Sequence, residues 1–150
     1  MTSCDTNILF AACNRASAEH VPAREFLLSQ ATSSRFAICE QVLMECYCLL
    51  RNPAASKCPL SAQAAASIIA RFRENPHWRI VDVPASRGVM ESVWDAAGRE
   101  GFAFRKIFDL RLAFTLRHHG VTRFATRNLK DFASSGFERL FDPCAPRSQA

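Results

Sequence analysis

The sequence predicts an α/β protein, an α/β/α sandwich built on a parallel sheet of four or five strands. Short runs rich in β-branched and aromatic residues alternate with longer segments whose apolar residues recur at helical spacing. Strands alternating with helices in this way form parallel sheets with right-handed crossovers. Size agrees: 150 residues, 49% apolar and 22% charged, suffice for one domain with a buried core. No repeat or linker divides residues 1–142, and 143–150, of Pro, Ser and Arg character, is expected to be a loose tail.

Thr2-Ser3-Cys4 reads as a first strand ending near Asp5. A helix through Ile8-Leu9-Phe10-Ala11-Ala12 follows, with Thr6 or Asn7 as its expected cap. A second helix, Ser17 to Gln30, repeats Val21, Ala23, Phe26 and Leu27 at helical spacing. Arg35-Phe36-Ala37-Ile38 is the second strand, and it runs straight into a helix from Glu40 to Leu50 that Asn52-Pro53 stops. Glu45 lies beside the inner face of that helix with Val42, Cys46 and Leu49. Ser61 caps the next helix, whose inner face carries Ile68, Ile69 and Phe72 and which Asn75-Pro76 ends. Trp78 to Val83 is the third strand, closed by Pro84. Ser86 to Arg99 is helical and stops at Gly98 to Gly101. An apolar helix from Phe108 to Leu116 has Asp109 near its start and ends at His118-His119-Gly120, cationic groups and a glycine at its negative pole. Val121 to Thr126 is the fourth strand, a short helix follows near 129–134, and Glu138 to Phe141 adds an edge strand.

The net charge of +5 suits a polyanionic partner and equally an ordinary solvated surface. Met1 to Asp5 lacks a basic start and Ile8 to Cys13 is short, so no export signal is expected. No apolar run approaches the length of a membrane span. Seven cysteines, an odd number without scaffold spacing, read as reduced thiols of a cytoplasmic protein. Cys46 and Cys48 point about 200° apart on a helix, which does not make a zinc site. No Gly-rich phosphate loop is present, which argues against Rossmann or P-loop nucleotide binding.

The acids are the informative residues. Asp5 follows strand one, Glu45 lies in the helix after strand two, Asp109 begins the helix before strand four, and Asp131 lies just past strand four. In an open parallel sheet, ligands collect beyond the carboxyl ends of the strands. Carboxylates gathered there repel one another and lose hydration unless a cation compensates, and Mg²⁺ or Mn²⁺ is the natural one for oxygen ligands. Taken singly, Asp5 or Asp109 reads as a helix cap; the shared topology raises the functional reading.

Asp5-Thr6-Asn7-Ile8-Leu9, Glu40-Gln41-Val42-Leu43-Met44-Glu45, Phe108-Asp109-Leu110-Arg111-Leu112-Ala113 and Phe124-Ala125-Thr126-Arg127-Asn128-Leu129-Lys130-Asp131-Phe132 resemble the successive motifs of PIN-domain nucleases, and among them VapC-type toxins of bacterial toxin–antitoxin pairs. The resemblance runs from residue 5 to about 132 in family order. It implies a PIN-like fold, a Mg²⁺- or Mn²⁺-dependent endoribonuclease, a homodimer, and a small cognate antitoxin that blocks the site. It also implies Asp5, Glu45, Asp109 and Asp131 as catalytic metal ligands, Asp131 being the more variable position, and Thr6, Asn7, Thr126, Asn128 and Arg111 as substrate-binding or supporting residues. Asn128 stands where many members carry another acid. Glu40, five residues before Glu45, faces away from it on a helix. The expected reaction is hydrolysis of RNA phosphodiesters by water activated at the metal, with Arg15, Arg105, Lys106, Arg111, Arg127 and Lys130 available to phosphates. The competing reading is a catalytically silent dimeric binding module on the same fold.

Overall fold

The computed structural model describes residues 1–146. Its strands are β1 (Thr2–Cys4), β2 (Ala37–Cys39), β3 (Arg79–Val81), β4 (Arg123–Ala125) and β5 (Arg139–Phe141). Its helices are α1 (Thr6–Cys13), α2 (His20–Gln30), α3 (Glu40–Arg51), α4 (Ala62–Arg73), α5 (Gly88–Ala97), α6 (Lys106–His118) and α7 (Leu129–Phe132). Strand and helix alternate as the sequence predicts.

All strand pairings are parallel. β1, β4 and β5 form one ladder and β2 with β3 another. The ladders meet at an isolated bridge between Thr2 and Phe36, where Thr2 N–H donates to the Arg35 carbonyl at 2.9 Å. Across the molecule the order is therefore β3-β2-β1-β4-β5. The chain steps one way from β1 to β3 and the other way from β3 to β5. Right-handed crossovers then place α1 to α4 on one face and α5 to α7 on the other. The reversal falls between β1 and β4, the switch point at which open α/β sheets bind ligands.

The core follows from the apolar runs. Phe36, Ala37, Ile38 and Cys39 of the central chain are fully buried, as are Ile8 and Leu9 of α1, Val42, Leu43 and Cys46 of α3, and Phe124 and Ala125 of β4. Phe124 stacks on Phe137 and meets Phe132 edge-on. Cys46 is buried while Cys48 is exposed, as opposite sides of one helix require. Gly120, with φ of 80°, turns the chain from α6 into β4, a left-handed position that favours glycine.

Several boundaries differ from the sequence reading. The cap of α1 is Asp5, which accepts from the Thr6 N–H at 2.7 Å, and not Thr6 or Asn7. All three residue types cap helices well; the strand ends one residue earlier than a Thr6 cap needs, so Asp5 takes the position. α2 begins at His20 because Ser17 to Glu19 form a turn, with Ser17 Oγ donating to Glu19. β4 is shorter than Val121–Thr126, since Val121 N–H still bonds back to Leu116. Of the tail expected over 143–150, residues 147–150 lie outside the described residues. Residues 143–146 turn beside α2, with Cys144 N–H donating to Asp142 Oδ1 at 2.8 Å.

Candidate functional site

Asp5 occupies the carboxyl end of β1 and caps α1, so the strand ladder and the helix pole fix it together. Its N–H donates to the Ala125 carbonyl at 2.8 Å, extending the β1–β4 ladder into the site. The Asp5 side chain is 7% exposed and accepts from three donors. Thr6 N–H reaches Oδ1, while the Asn7 Nδ2 and Thr126 hydroxyl donors reach Oδ2, each at 2.7 Å. Thr126 stands at the end of β4, fully buried, and accepts the Asn128 N–H at 2.9 Å. The two sides of the switch point are thus tied through one carboxylate.

Glu45 comes from α3, across the seam between the two ladders. Its Oε2 accepts the Thr6 hydroxyl at 2.7 Å and its Oε1 accepts Gln41 Nε2 at 3.0 Å. With Asp5 serving as the cap, the Thr6 hydroxyl is free for this contact. Asp109 lies in the first turn of α6, half-buried. Asp5, Thr6, Asn7, Glu45, Asp109, Arg127 and Asn128 line one open cleft of about 580 Å³, together with the apolar Phe10, Met44 and Leu49.

The electrostatics are those of acids crowded together. Burial pushes the Asp5 carboxyl up from 3.8 to about 6, against the Thr126 and Thr6 hydrogen bonds that hold it down, and the charges of Glu45 and Asp109 add to the rise. Burial also raises Asp109, with Asp131 and Glu45 pushing the same way and Lys106 opposing. Among the described residues, ion pairs join Arg73 to Glu40, Arg111 to Asp82 and Arg127 to Glu19, and none reaches Asp5, Glu45, Asp109 or Asp131. Among the described residues the cleft acids are therefore left without an ion-pair partner. Nor do they form a closed cage: among the described residues, no three His, Cys, Asp or Glu side chains stand together at ligand spacing.

The remaining expected residues distribute as follows. Thr126 lies behind Asp5. Arg111 lies behind Glu45, its Nη1 donating to Gln41 Oε1 at 2.7 Å. Asp131, expected among the ligands, is exposed on α7 and is not among the residues lining the cleft; its charge helps raise Asp109. Glu40 faces outward and pairs with Arg73 at 2.8 Å. Two features escaped the sequence reading. Gln41 is a buried polar side chain in contact with Glu45, and its position four residues ahead on one helix was the available signal. Arg127, read only as one of several cations, is the one lining the cleft, where it also pairs with Glu19 at 2.6 Å.

No family model matches the chain. Ribonuclease VapC24 of Mycobacterium tuberculosis is 47% identical over 143 residues, covering 95% of this chain and 97% of that protein. The chain belongs to the VapC ribonuclease family. The four sequence motifs thus pointed to the right family. Solved structures agree on the fold. The crystal structure of Mycobacterium tuberculosis VapC20, described as a Sarcin-Ricin loop cleaving toxin, superposes with a TM-score of 0.68 at 23% identity, covering 91% of this chain and 96% of that one. FitAcB of Neisseria gonorrhoeae superposes at 0.64 with 18% identity over 95% and 98% of the two chains. VapBC2 of Rickettsia felis, bound to a DNA fragment from its promoter, gives 0.62 at 20% identity over 94% and 96%. As in those VapC structures, the chain here is an α/β fold on a parallel sheet. No helix among the described residues is long and apolar enough to cross a membrane.

Proposed function

We propose that this VapC ribonuclease is a Mg²⁺- or Mn²⁺-dependent endoribonuclease that acts in the cytoplasm as the toxin of a toxin–antitoxin pair. The observation that carries the reading is the set Asp5, Glu45 and Asp109, delivered by three elements to one cleft at the switch point without a paired cation. Such a set fits a hard divalent ion. Mg²⁺ keeps several of its own waters and needs only one or two carboxylates directly, so it does not require the closed cage that these acids lack. Bound there, the ion would supply Lewis-acid stabilisation of the phosphate and lower the pKa of a water.

The chain's own residues do the rest. Asn7, Thr6 and Thr126 orient the Asp5 carboxylate through its hydrogen bonds, two on Oδ2 and one on Oδ1, leaving a lone pair of Oδ1 open. Thr6 fixes Glu45 beside it. Asp131 adds negative charge at the outer edge, near Asp109. Arg127 at the rim takes a phosphate of the incoming strand, exchanging its contact with Glu19. An open cleft lined by Phe10, Met44 and Leu49 beside its acids suits an unpaired RNA loop, whose bases can splay out, better than a duplex. Hydrolysis would leave 5′-phosphate and 3′-hydroxyl ends. A cognate antitoxin would silence the enzyme, and the working form would be a homodimer. The VapC20 and VapBC2 descriptions support the toxin and partner assignments.

The test is sequencing of RNA ends after brief induction of the wild type and of Asp5→Asn, with purified protein assayed in EDTA and after Mg²⁺ or Mn²⁺ addition. New RNA ends that require Asp5 and a divalent ion are expected. Cleavage that persists in EDTA, or in Asp5→Asn at the wild-type rate, overturns the mechanism; a folded wild-type chain that cuts no RNA favours the silent binding module.

A further inference from the structure

Gln41 stands one helical turn before Glu45 on α3, so the two side chains share a face. It is 5% exposed, and both ends of its amide are committed. Oε1 accepts from Arg111 Nη1 at 2.7 Å. Nε2 donates to Glu45 Oε1 at 3.0 Å and to the Phe108 carbonyl at 3.2 Å. A guanidinium only donates, while an ionised carboxylate and a carbonyl only accept. One orientation of the amide therefore satisfies all three neighbours. Turned over, it would set donor against donor at Arg111 and its oxygen against two acceptors. Arg111 is anchored in turn: its Nη2 faces Asp82 at 3.5 Å, and the Asp82 carbonyl meets the His119 ring at 2.8 Å.

We infer that Gln41 is a positioning residue for the nuclease site: locked by Arg111, it holds the Glu45 carboxylate in place opposite Asp5 and Asp109, and Arg111 serves as a brace and not as a substrate contact. The inference rests on the metal-dependent reading of that cleft. Glutamate has a long, freely rotating side chain, and Glu45 has one tether on each oxygen, Thr6 on Oε2 and Gln41 on Oε1. Loss of the second tether lets the carboxylate swing about the first. Loss of Arg111 leaves Gln41 present but free to turn its oxygen toward Glu45. Phe108, whose carbonyl shares the amide, immediately precedes Asp109, so the same side chain also ties α6 to α3 at the cleft.

The experiment measures Mn²⁺ binding by titration calorimetry for the full-length wild type, Gln41→Met, Arg111→Met and the double variant, with RNA cleavage at saturating Mn²⁺ and thermal melting alongside. Gln41→Met is expected to weaken Mn²⁺ binding about tenfold, the scale seen when a group supporting a metal ligand is removed. Arg111→Met should weaken it in the same direction, and the double variant should be no worse than Gln41→Met alone, because both act through one contact. If Gln41→Met does not fold, Arg111→Met, at a half-buried position, carries the comparison. A merely structural role would lower the melting temperature and leave Mn²⁺ affinity unchanged. Variants that fold and bind Mn²⁺ as the wild type does, or losses that multiply in the double variant, overturn the inference alone. A wild-type chain that binds no Mn²⁺ overturns the metal reading and this inference with it.

Discussion

Asp5→Asn keeps the shape of the most buried cleft acid and removes its charge. Burial, reinforced by Glu45 and Asp109, lifts this carboxyl from 3.8 to about 6. Ionising it in the metal-free folded chain therefore costs about 3 kcal/mol more than in the unfolded chain. Between those two values the folded state holds the proton and the unfolded state has lost it. The metal-free wild type thus has its full stability below about pH 4 and loses about 3 kcal/mol as the pH rises past about 6. Asparagine does not titrate in this window. It does give up one acceptor in a site where three donors converge, a loss of about 1 kcal/mol. At pH 7.5 in EDTA the variant should be more stable than the wild type by about 2 kcal/mol, a rise in Tm of roughly 4–8 °C for a chain of this size. Near pH 4.5 most of that advantage should vanish. Saturating Mn²⁺ should raise the wild type and leave the variant where it was. Urea denaturation followed by fluorescence of Trp78 and Trp94, at both pH values with and without Mn²⁺, measures the stability differences, and thermal melting under the same conditions measures the Tm shift. An Asp5→Asn chain no more stable than the wild type at pH 7.5 in EDTA, or a difference that ignores pH, would refute the crowded-acid account of the cleft.

Glu45→Gln and Asp109→Asn should each reduce RNA cleavage by about a hundredfold or more, the scale of losing one preorganised charged contact, with melting temperatures in EDTA unchanged or raised. Asp131→Asn should cost about tenfold less than Asp109→Asn in the same assay, because Asp131 is exposed and outside the cleft lining. Thr126→Val removes a hydrogen bond that holds Asp5 down and orphans the Asn128 N–H, so it should destabilise the fold by about 1–2 kcal/mol and shift the acid limb of the cleavage pH profile upward. Gly136→Ala combines a φ of 75° with a Cβ that would fall 2.7 Å from Arg117 Nη1; it should lower Tm by several degrees without altering Mn²⁺ affinity.

The alternation that gives the sheet is written plainly in residues such as Phe36-Ala37-Ile38 and Phe124-Ala125, because a doubly covered parallel strand needs an unbroken apolar run. The ordering of Asp5, Glu45 and Asp109 beyond strand ends was equally legible, since topology alone brings strand ends to one edge. The choice of cap was not: Asp5, Thr6 and Asn7 have nearly equal intrinsic merit, and pairing of Asp5 N–H with Ala125 decides among them. That one step frees the Thr6 hydroxyl for Glu45, a contact across 39 positions that no local rule supplies. Gln41 was hidden differently. Its helical spacing to Glu45 could be read, but its partners Arg111 and Phe108 come from α6, about seventy positions away.

The two ladders of the sheet meet at the Thr2–Phe36 bridge. Asp5 and Thr126 follow strands of the β1-β4-β5 ladder and Glu45 lies in the helix after β2, so the cleft straddles the join. One continuous core, with Cys4 and Phe124 from one ladder and Ile38 and Val81 from the other, closes the join beneath the cleft. The Thr6–Glu45 hydrogen bond spans the join at the cleft, so the relative placing of Asp5 and Glu45 depends on packing between the two ladders and not on either ladder alone.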